Sequence, residues 1–378
     1  MNPTEQMLQN PLRQARNFGQ SIWFDGLVPR EEFERMVRED GIRGATTNPT
    51  IFEKEISGLG GQSLNFDKCQ NLRTDPHVAE ESYKKIAVKA VQELADVFLP
   101  VYEETAGRDG YVSIEVSPLL AYDTEGTIRE AKELWGLVNR KNIMVKVPAT
   151  RQGVPAVQVL IAEGININVT LIFSVKRHEE VMKAYIRGLE WRDEEGLPVS
   201  GIASVASFFV SRVDTAVDKL LEEKIKAEAD PAKLSELKSL LGKAAIANSK
   251  RAYREFETAF SAARFGKLKD RGAAVQRPLW ASTGTKNPAY SDVFYVENLI
   301  GPETVNTVPP ATFAAFRDHG TVAPLLQQRA AEVDKTLRRL KAAGIDMDDV
   351  TQKLEEAGVQ AFSDSYTKIL QFIGSKKK

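Results

Sequence analysis

Short stretches along the chain alternate apolar and polar residues with period two, and between them apolar residues recur at the longer spacing of helices. The clearest strand pattern is 165–171, where Ile165, Ile167, Val169 and Leu171 alternate with Asn166, Asn168 and Thr170. In 142–148 the β-branched Ile143, Val145 and Val147 form one face, and Met144 and Lys146 the other. In 111–116, Val112, Ile114 and Val116 oppose Tyr111, Ser113 and Glu115. Further strands are predicted at 21–26, 42–46, 201–206, 277–282 and 304–308.

Helical spacing predicts an N-terminal helix over 3–19, then helices over 30–40, 77–104, 124–140, 150–163 and 174–190. Residues 51–76 read as a polar connection. Helical periodicity resumes after strand six and continues to 229. A helical insertion spans about 218–276, within which 230–276 supplies two further charged, solvated helices. Helices over 311–318, 323–343 and 348–374 finish the chain, and the Lys376, Lys377 and Lys378 tail is expected to be disordered. Strands alternating with helices imply parallel βαβ units, whose sheets are covered on both faces. The polar face of 165–171 then points into an enclosed interior rather than to solvent. Eight such strands, with polar candidates at their C-terminal ends, predict an α/β protein, a (β/α)8 TIM barrel with additional helices. No internal repeat or low-complexity linker divides the chain, so one elaborated domain over 1–378 is expected.

Composition narrows the partners. Apolar residues make up 42% and charged residues 27%, as in ordinary globular proteins. With 51 basic against 52 acidic residues the formal net charge is -1, which gives no electrostatic basis for binding nucleic acid or an anionic membrane. No apolar run reaches the roughly 20 residues that a membrane helix needs. The single Cys69 cannot form a disulfide within the chain, and with the polar start of the chain it points to a reducing cytoplasm. His77, His178 and His319 lie far apart without ligand-like spacing, so no metal is expected.

The candidate chemistry centres on Lys146. A lysine among apolar neighbours near a strand end is partly desolvated, and desolvation favours the neutral amine that attacks a carbonyl. The alternative is a rim lysine turned to water. Glu115 shares a strand face with small polar groups and needs a partner if buried, and Lys146 stands one strand later. Asp25, at the end of strand one, is either an acid/base or the N-cap of the next helix. Asn48, before Pro49, either bonds a ligand or shapes its loop. Ser207 and Arg212 fall at a predicted strand-to-helix junction, where amides and a guanidinium can hold phosphate, or where a serine caps and an arginine is solvated. Ser282 and Lys286, after strand seven, offer a second arm around a sugar phosphate. The full nucleotide phosphate loop is absent there.

Taken together, G-A-T-T-N-P-T at 44–50, I-E-V at 114–116, M-V-K-V-P-A-T at 144–150, N-V-T-L-I-F-S at 168–174, A-S-F-F-V-S-R at 206–212 and W-A-S-T-G-T-K at 280–286 resemble the transaldolase family. The likeness is to the longer bacterial members and to the transaldolase half of fusions with glucose-6-phosphate isomerase. It implies a pentose phosphate pathway transferase that forms a Schiff base and uses no cofactor. Lys146 matches the Schiff-base lysine, Asp25 the acid/base, and Glu115 with Thr170 the pair that orients a water. Asn48, Asn168 and Ser207 match positions that contact substrate, Arg212 matches a phosphate-binding arginine, and Phe209 and Ser282 are expected to bind substrate beside them. The shorter members place a second arginine just after the strand-seven Ala-Ser. Lys286 is the expected substitute here, binding phosphate as a point charge rather than a fork.

Two other functions fit the same scaffold. A fructose-6-phosphate aldolase would release free dihydroxyacetone, but that family has Gln and Tyr where this chain has Glu115 and Phe209. A non-catalytic sugar-phosphate-binding barrel is expected to have lost some of Asp25, Glu115, Lys146 or Thr170, and all four are present. Expected partners are small sugar phosphates, with a homodimer as a further possibility.

Overall fold

Each βα unit sets its strand beside the previous one, and eight such steps close a ring. The computed structural model describes residues 10–58 and 76–375. Strands β1 (Gln20–Asp25), β2 (Gly44–Thr46), β3 (Tyr111–Glu115), β4 (Ile143–Pro148), β5 (Ile167–Ile172), β6 (Ser204–Phe209), β7 (Arg277–Ala281) and β8 (Thr304–Val308) form a closed parallel barrel in sequence order. β8 pairs back onto β1 from Gln20↔Thr304 to Phe24↔Val308. This is the (β/α)8 barrel that the alternation predicts.

β4, β5 and β6 are buried along their whole lengths, as parallel strands between a helical shell and a filled interior must be. The polar face of β5 does turn inward. Asn168 Nδ2 donates to Ser113 Oγ on β3 at 3.0 Å, and Asn168 Oδ1 accepts from Ser207 Oγ on β6 at 2.7 Å. At the opposite end the floor is ionic: Arg277 meets Asp109 at 3.0 Å, and Ser21 donates to the same carboxylate at 2.8 Å.

Several boundaries differ from the sequence reading. Within the predicted 3–19 helix, Pro11–Gln14 is α-helical and Ala15–Phe18 is 3-10, ended by left-handed Gly19; residues 3–9 lie outside the described residues, as do Cys69 and the lysine tail. The start of the predicted 51–76 connection is instead the helix Pro49–Ile56, begun by an Asn-Pro cap. The 59–75 part lies outside the described residues. Strand six runs three residues later than predicted, because Phe208 and Phe209 extend it as buried aromatic strand residues. The last predicted helix but one, 323–343, begins only at Ala330.

The segment 230–276 holds three helices rather than two, Pro231–Leu240, Ala244–Ala259 and Ala262–Asp270. The middle one is not solvated. It buries Ala244, Ala245, Ala252, Tyr253 and Phe256, because its small residues let it pack closely on Val175–Glu194 and Ala330–Ala342. The final helix, Met347–Ser375, crosses the barrel's C-terminal face. Thr50 bonds Ser365 at 3.0 Å, and Gly358 packs on Leu171, where an added Cβ would lie 2.9 Å from Leu171 Cδ2. Leu171 itself has φ 60, within a register irregularity between β5 and β6 that turns it out of the alternation.

Candidate active site

The parallel register brings the polar strand ends into one layer. Glu115 pairs with Lys146, Lys146 with Asn168, and Asp25 with Thr46. Above them opens a cavity of about 440 Å³ at the C-terminal ends of the strands. Asp25, Asn48, Lys146, Thr170, Ser207, Phe209, Arg212, Ser282 and Lys286 all line it. Glu115 and Asn168 do not reach its wall; they stand behind it, in contact with residues that do.

Lys146 is buried, not a solvated rim lysine. Its Nζ lies 3.3 Å from Glu115 Oε2 and donates to the Thr47 carbonyl at 3.1 Å. The Glu115 side chain is only 4% exposed, and beyond this ion contact its oxygens have no hydrogen-bond donor among the described residues. Burial raises its pKa, with Lys146 pulling the other way. Thr170 Oγ1, buried nearby, is likewise without a hydrogen-bond partner.

Asp25 does not cap the helix Arg30–Glu39, whose N-cap is Pro29. It accepts a hydrogen bond from Thr46 Oγ1 at 2.6 Å. Thr46 Oγ1 also lies 2.6 Å from Thr307 Oγ1, and a hydroxyl has one proton to give. With Thr46 donating to Asp25, Thr307 is the donor to Thr46. Burial raises the Asp25 pKa, opposed by Lys146 and by the Thr46 bond.

Asn48 does cap its helix. Its Oδ1 accepts from Ile51 N at 3.0 Å, which leaves the amide NH2 for other partners. Ser207 lies within β6 rather than at a strand-to-helix junction, and its hydroxyl is given to Asn168. Arg212 falls in the first turn of the helix Ser211–Ala227. Its guanidinium lies 5.6 Å from the Phe209 ring centroid and makes no ion pair or hydrogen bond among the described residues. Burial lowers its pKa from the usual arginine value. Ser282 holds φ 55 and stands 3.0 Å from Ser211 across the β6–β7 seam.

Several lining residues were not among the candidates read from the sequence, Thr46, Thr307, Lys54 and Phe362 among them. Thr46 alternates with Ile42 and Gly44 on one face of its strand, and Thr307 with Val305 rather than with the polar Thr304 and Asn306, so period two gave no signal for either. Lys54 belongs to a helix read as a connection, and Phe362 comes from the final helix. Among the described residues no His, Cys, Asp and Glu cluster suited to a metal occurs, and no helix is long and apolar enough to cross a membrane.

A buried lysine against a buried carboxylate, with a second carboxylate on the cavity wall and cations at its rim, suits carbonyl chemistry on an anionic substrate. The family model described as transaldolase/fructose-6-phosphate aldolase matches residues 22–373. The chain belongs to the transaldolase/fructose-6-phosphate aldolase family. Members with the name transaldolase include one from Trichodesmium erythraeum, 43% identical over 98% of this chain and 99% of that protein. One from Thiobacillus denitrificans is 43% identical over 97% of this chain and the whole of that protein. One from Acidothermus cellulolyticus is 44% identical over 96% of this chain and 95% of that protein. Family membership and the barrel thus agree with the resemblance of the six motifs.

Proposed function

We propose that this chain is a transaldolase of the pentose phosphate pathway, a transferase that moves a dihydroxyacetone unit between sugar phosphates. Lys146 attacks the ketone of sedoheptulose 7-phosphate or fructose 6-phosphate, and the carbinolamine loses water to give an iminium. Glu115 and Thr170 hold the water that carries protons in this step; their unpaired buried oxygens support that role. Asp25 takes the C4 hydroxyl proton as the C3–C4 bond breaks. The bonding pair passes into the iminium, giving an enamine, and the shortened aldose phosphate leaves. Glyceraldehyde 3-phosphate or erythrose 4-phosphate then accepts the three-carbon unit by the reverse steps.

Asn48, Asn168 and Ser207 hold the dihydroxyacetone hydroxyls, and Phe209 and Ser282 shape the wall around them. Arg212 and Lys286 bind the phosphate. Neither has an ion-pair partner among the described residues, which leaves both charges free for an anion. The reaction needs no cofactor, since the iminium is the electron sink. A cytoplasmic location fits such chemistry.

The observation that carries this function is the buried Lys146–Glu115 contact at 3.3 Å beneath the Asp25 wall. Borohydride trapping with fructose 6-phosphate, followed by peptide mapping, tests it. A reduced adduct on Lys146 is expected; an adduct on another lysine, or none on folded protein, would overturn the assignment. Erythrose 4-phosphate added to the unreduced intermediate separates transfer from release of free dihydroxyacetone.

A further inference from the structure

Two buried carboxylates have no part in the steps above. Asp214 and Asp218 sit one turn apart on the helix Ser211–Ala227, whose first turn carries Arg212. Asp214 accepts from Tyr295 Oη at 3.0 Å and from Ala245 N at 2.7 Å. Asp218 accepts from Tyr290 Oη at 2.7 Å and from Gly242 N at 2.9 Å. Each carboxylate therefore ties together three segments. One is the Arg212 helix, and another is the 282–298 segment that carries Lys286 and both tyrosines. The third is the 241–245 turn, which belongs to the helical insertion between β6 and β7.

The turn is built for this contact. Gly242 holds φ +67, and a Cβ added there would stand 2.8 Å from Tyr290 Cζ. The seam continues to the cavity, where Ser211 N donates to the Ser282 carbonyl at 3.1 Å. Burial pushes the Asp214 pKa up to about 6 and raises that of Asp218, a desolvation cost that the tyrosine and backbone donors oppose. Bonds to carboxylates are shorter and about twice as strong as neutral ones, and they fix direction as well as distance.

We infer, on the proposed reading of Arg212 and Lys286 as the phosphate-binding pair, that Asp214, Asp218, Tyr290 and Tyr295 are positioning residues that set the spacing of that pair, with the Gly242 turn of the insertion as their anchor. The insertion thereby acts on recognition of the substrate phosphate without touching substrate.

Tyr290→Phe and Tyr295→Phe each remove one hydroxyl and keep the ring. Steady-state kinetics with fructose 6-phosphate, competition by inorganic phosphate, and borohydride trapping with unphosphorylated dihydroxyacetone separate the cases. A rise of about tenfold in KM and in the inhibition constant for phosphate is expected, the effect of one charge-assisted bond. Trapping by dihydroxyacetone should match that of the unaltered chain. Arg212→Ala is the reference. If it leaves both phosphate readouts unchanged, the phosphate-binding pair itself is wrong and the inference falls with it. If Arg212→Ala raises them and neither tyrosine variant does, the positioning role alone is overturned. Equal losses with dihydroxyacetone and fructose 6-phosphate would show a merely structural role and also overturn it. Should Tyr295→Phe fail to fold, the half-buried Tyr290 and the Gly242→Ala variant carry the same test.

Discussion

Lys146 Nζ lies 3.3 Å from Glu115 Oε2 across the β3–β4 seam, with both side chains almost fully buried. The contact places a proton-carrying group beside the amine at the level where a carbinolamine would form. Removing the carboxylate while keeping its shape should therefore slow iminium formation. Glu115→Gln is expected to lower the borohydride trapping rate by about 10²-fold or more, the usual contribution of a positioned acid/base. An unchanged trapping rate would exclude Glu115 from dehydration.

Asp25 gives a prediction in which activity and stability move in opposite directions. Its folded pKa is raised by burial, so the folded state binds its proton more tightly than the unfolded chain does. The associated stability is present below the unfolded carboxylate pKa and is lost as pH rises through the raised folded value. At neutral pH the ionised form is thus a burden on the fold. Asp25→Asn keeps an acceptor for Thr46 and removes the charge; it should raise Tm at pH 7 while cutting turnover by about 10²-fold or more. For the unaltered chain, the bond-breaking step should weaken as pH falls through the raised Asp25 pKa. A lower Tm for Asp25→Asn, measured by calorimetry, would contradict this account.

Asp109 has the opposite sign. Burial alone would raise its pKa, but Arg277 together with Ser21 and Trp23 prevails, and the folded value is lowered. Its stabilisation is present above the unfolded carboxylate pKa and is lost as pH falls through the lowered one. Asp109→Ala leaves Arg277 buried without its carboxylate and should cost about 3–5 kcal/mol. The pair lies at the barrel floor, so kcat of the remaining folded protein should hold. Denaturant unfolding at pH 7 measures the loss, and a change below 1 kcal/mol (about the value of an exposed pair) would show the floor ion pair to be dispensable.

Phe362 brings the final helix into the cavity wall. On the proposed mechanism, this buried ring would keep water from that side of the pocket while the enamine awaits an acceptor. If the enamine is protonated, the resulting iminium hydrolyses and dihydroxyacetone is released. Phe362→Ala should raise the ratio of free dihydroxyacetone to transferred product, read by coupled assay with and without erythrose 4-phosphate. A ratio equal to that of the unaltered chain would assign Phe362 to packing alone.

Much of the fold was legible because strand alternation has a fixed period and parallel barrels impose one inward face. That rule placed Ser113, Glu115, Lys146, Asn168 and Thr170 together before any coordinates, and strand order then made Glu115 and Lys146 neighbours. The boundaries that moved have local causes. Phe208 and Phe209 carry β6 onward and so take Ser207 into the strand, while Asn48 and Pro49 start a helix where polar composition suggested a loop.

By itself, then, the sequence determined the eight-strand order, the inward polar face and the residues on it, since periodicity and parallel register are local properties. Only the tertiary structure decided what meets that face from elsewhere. Thr307 reaches Thr46 from 261 residues away. Phe362 arrives on a helix whose direction its own periodicity does not encode. Tyr290 and Tyr295 bond Asp218 and Asp214 directly, beside the turn of the insertion that bonds the same carboxylates. Such contacts depend on how helices pack on the barrel, and packing is fixed by complementary shapes that no single stretch of chain contains.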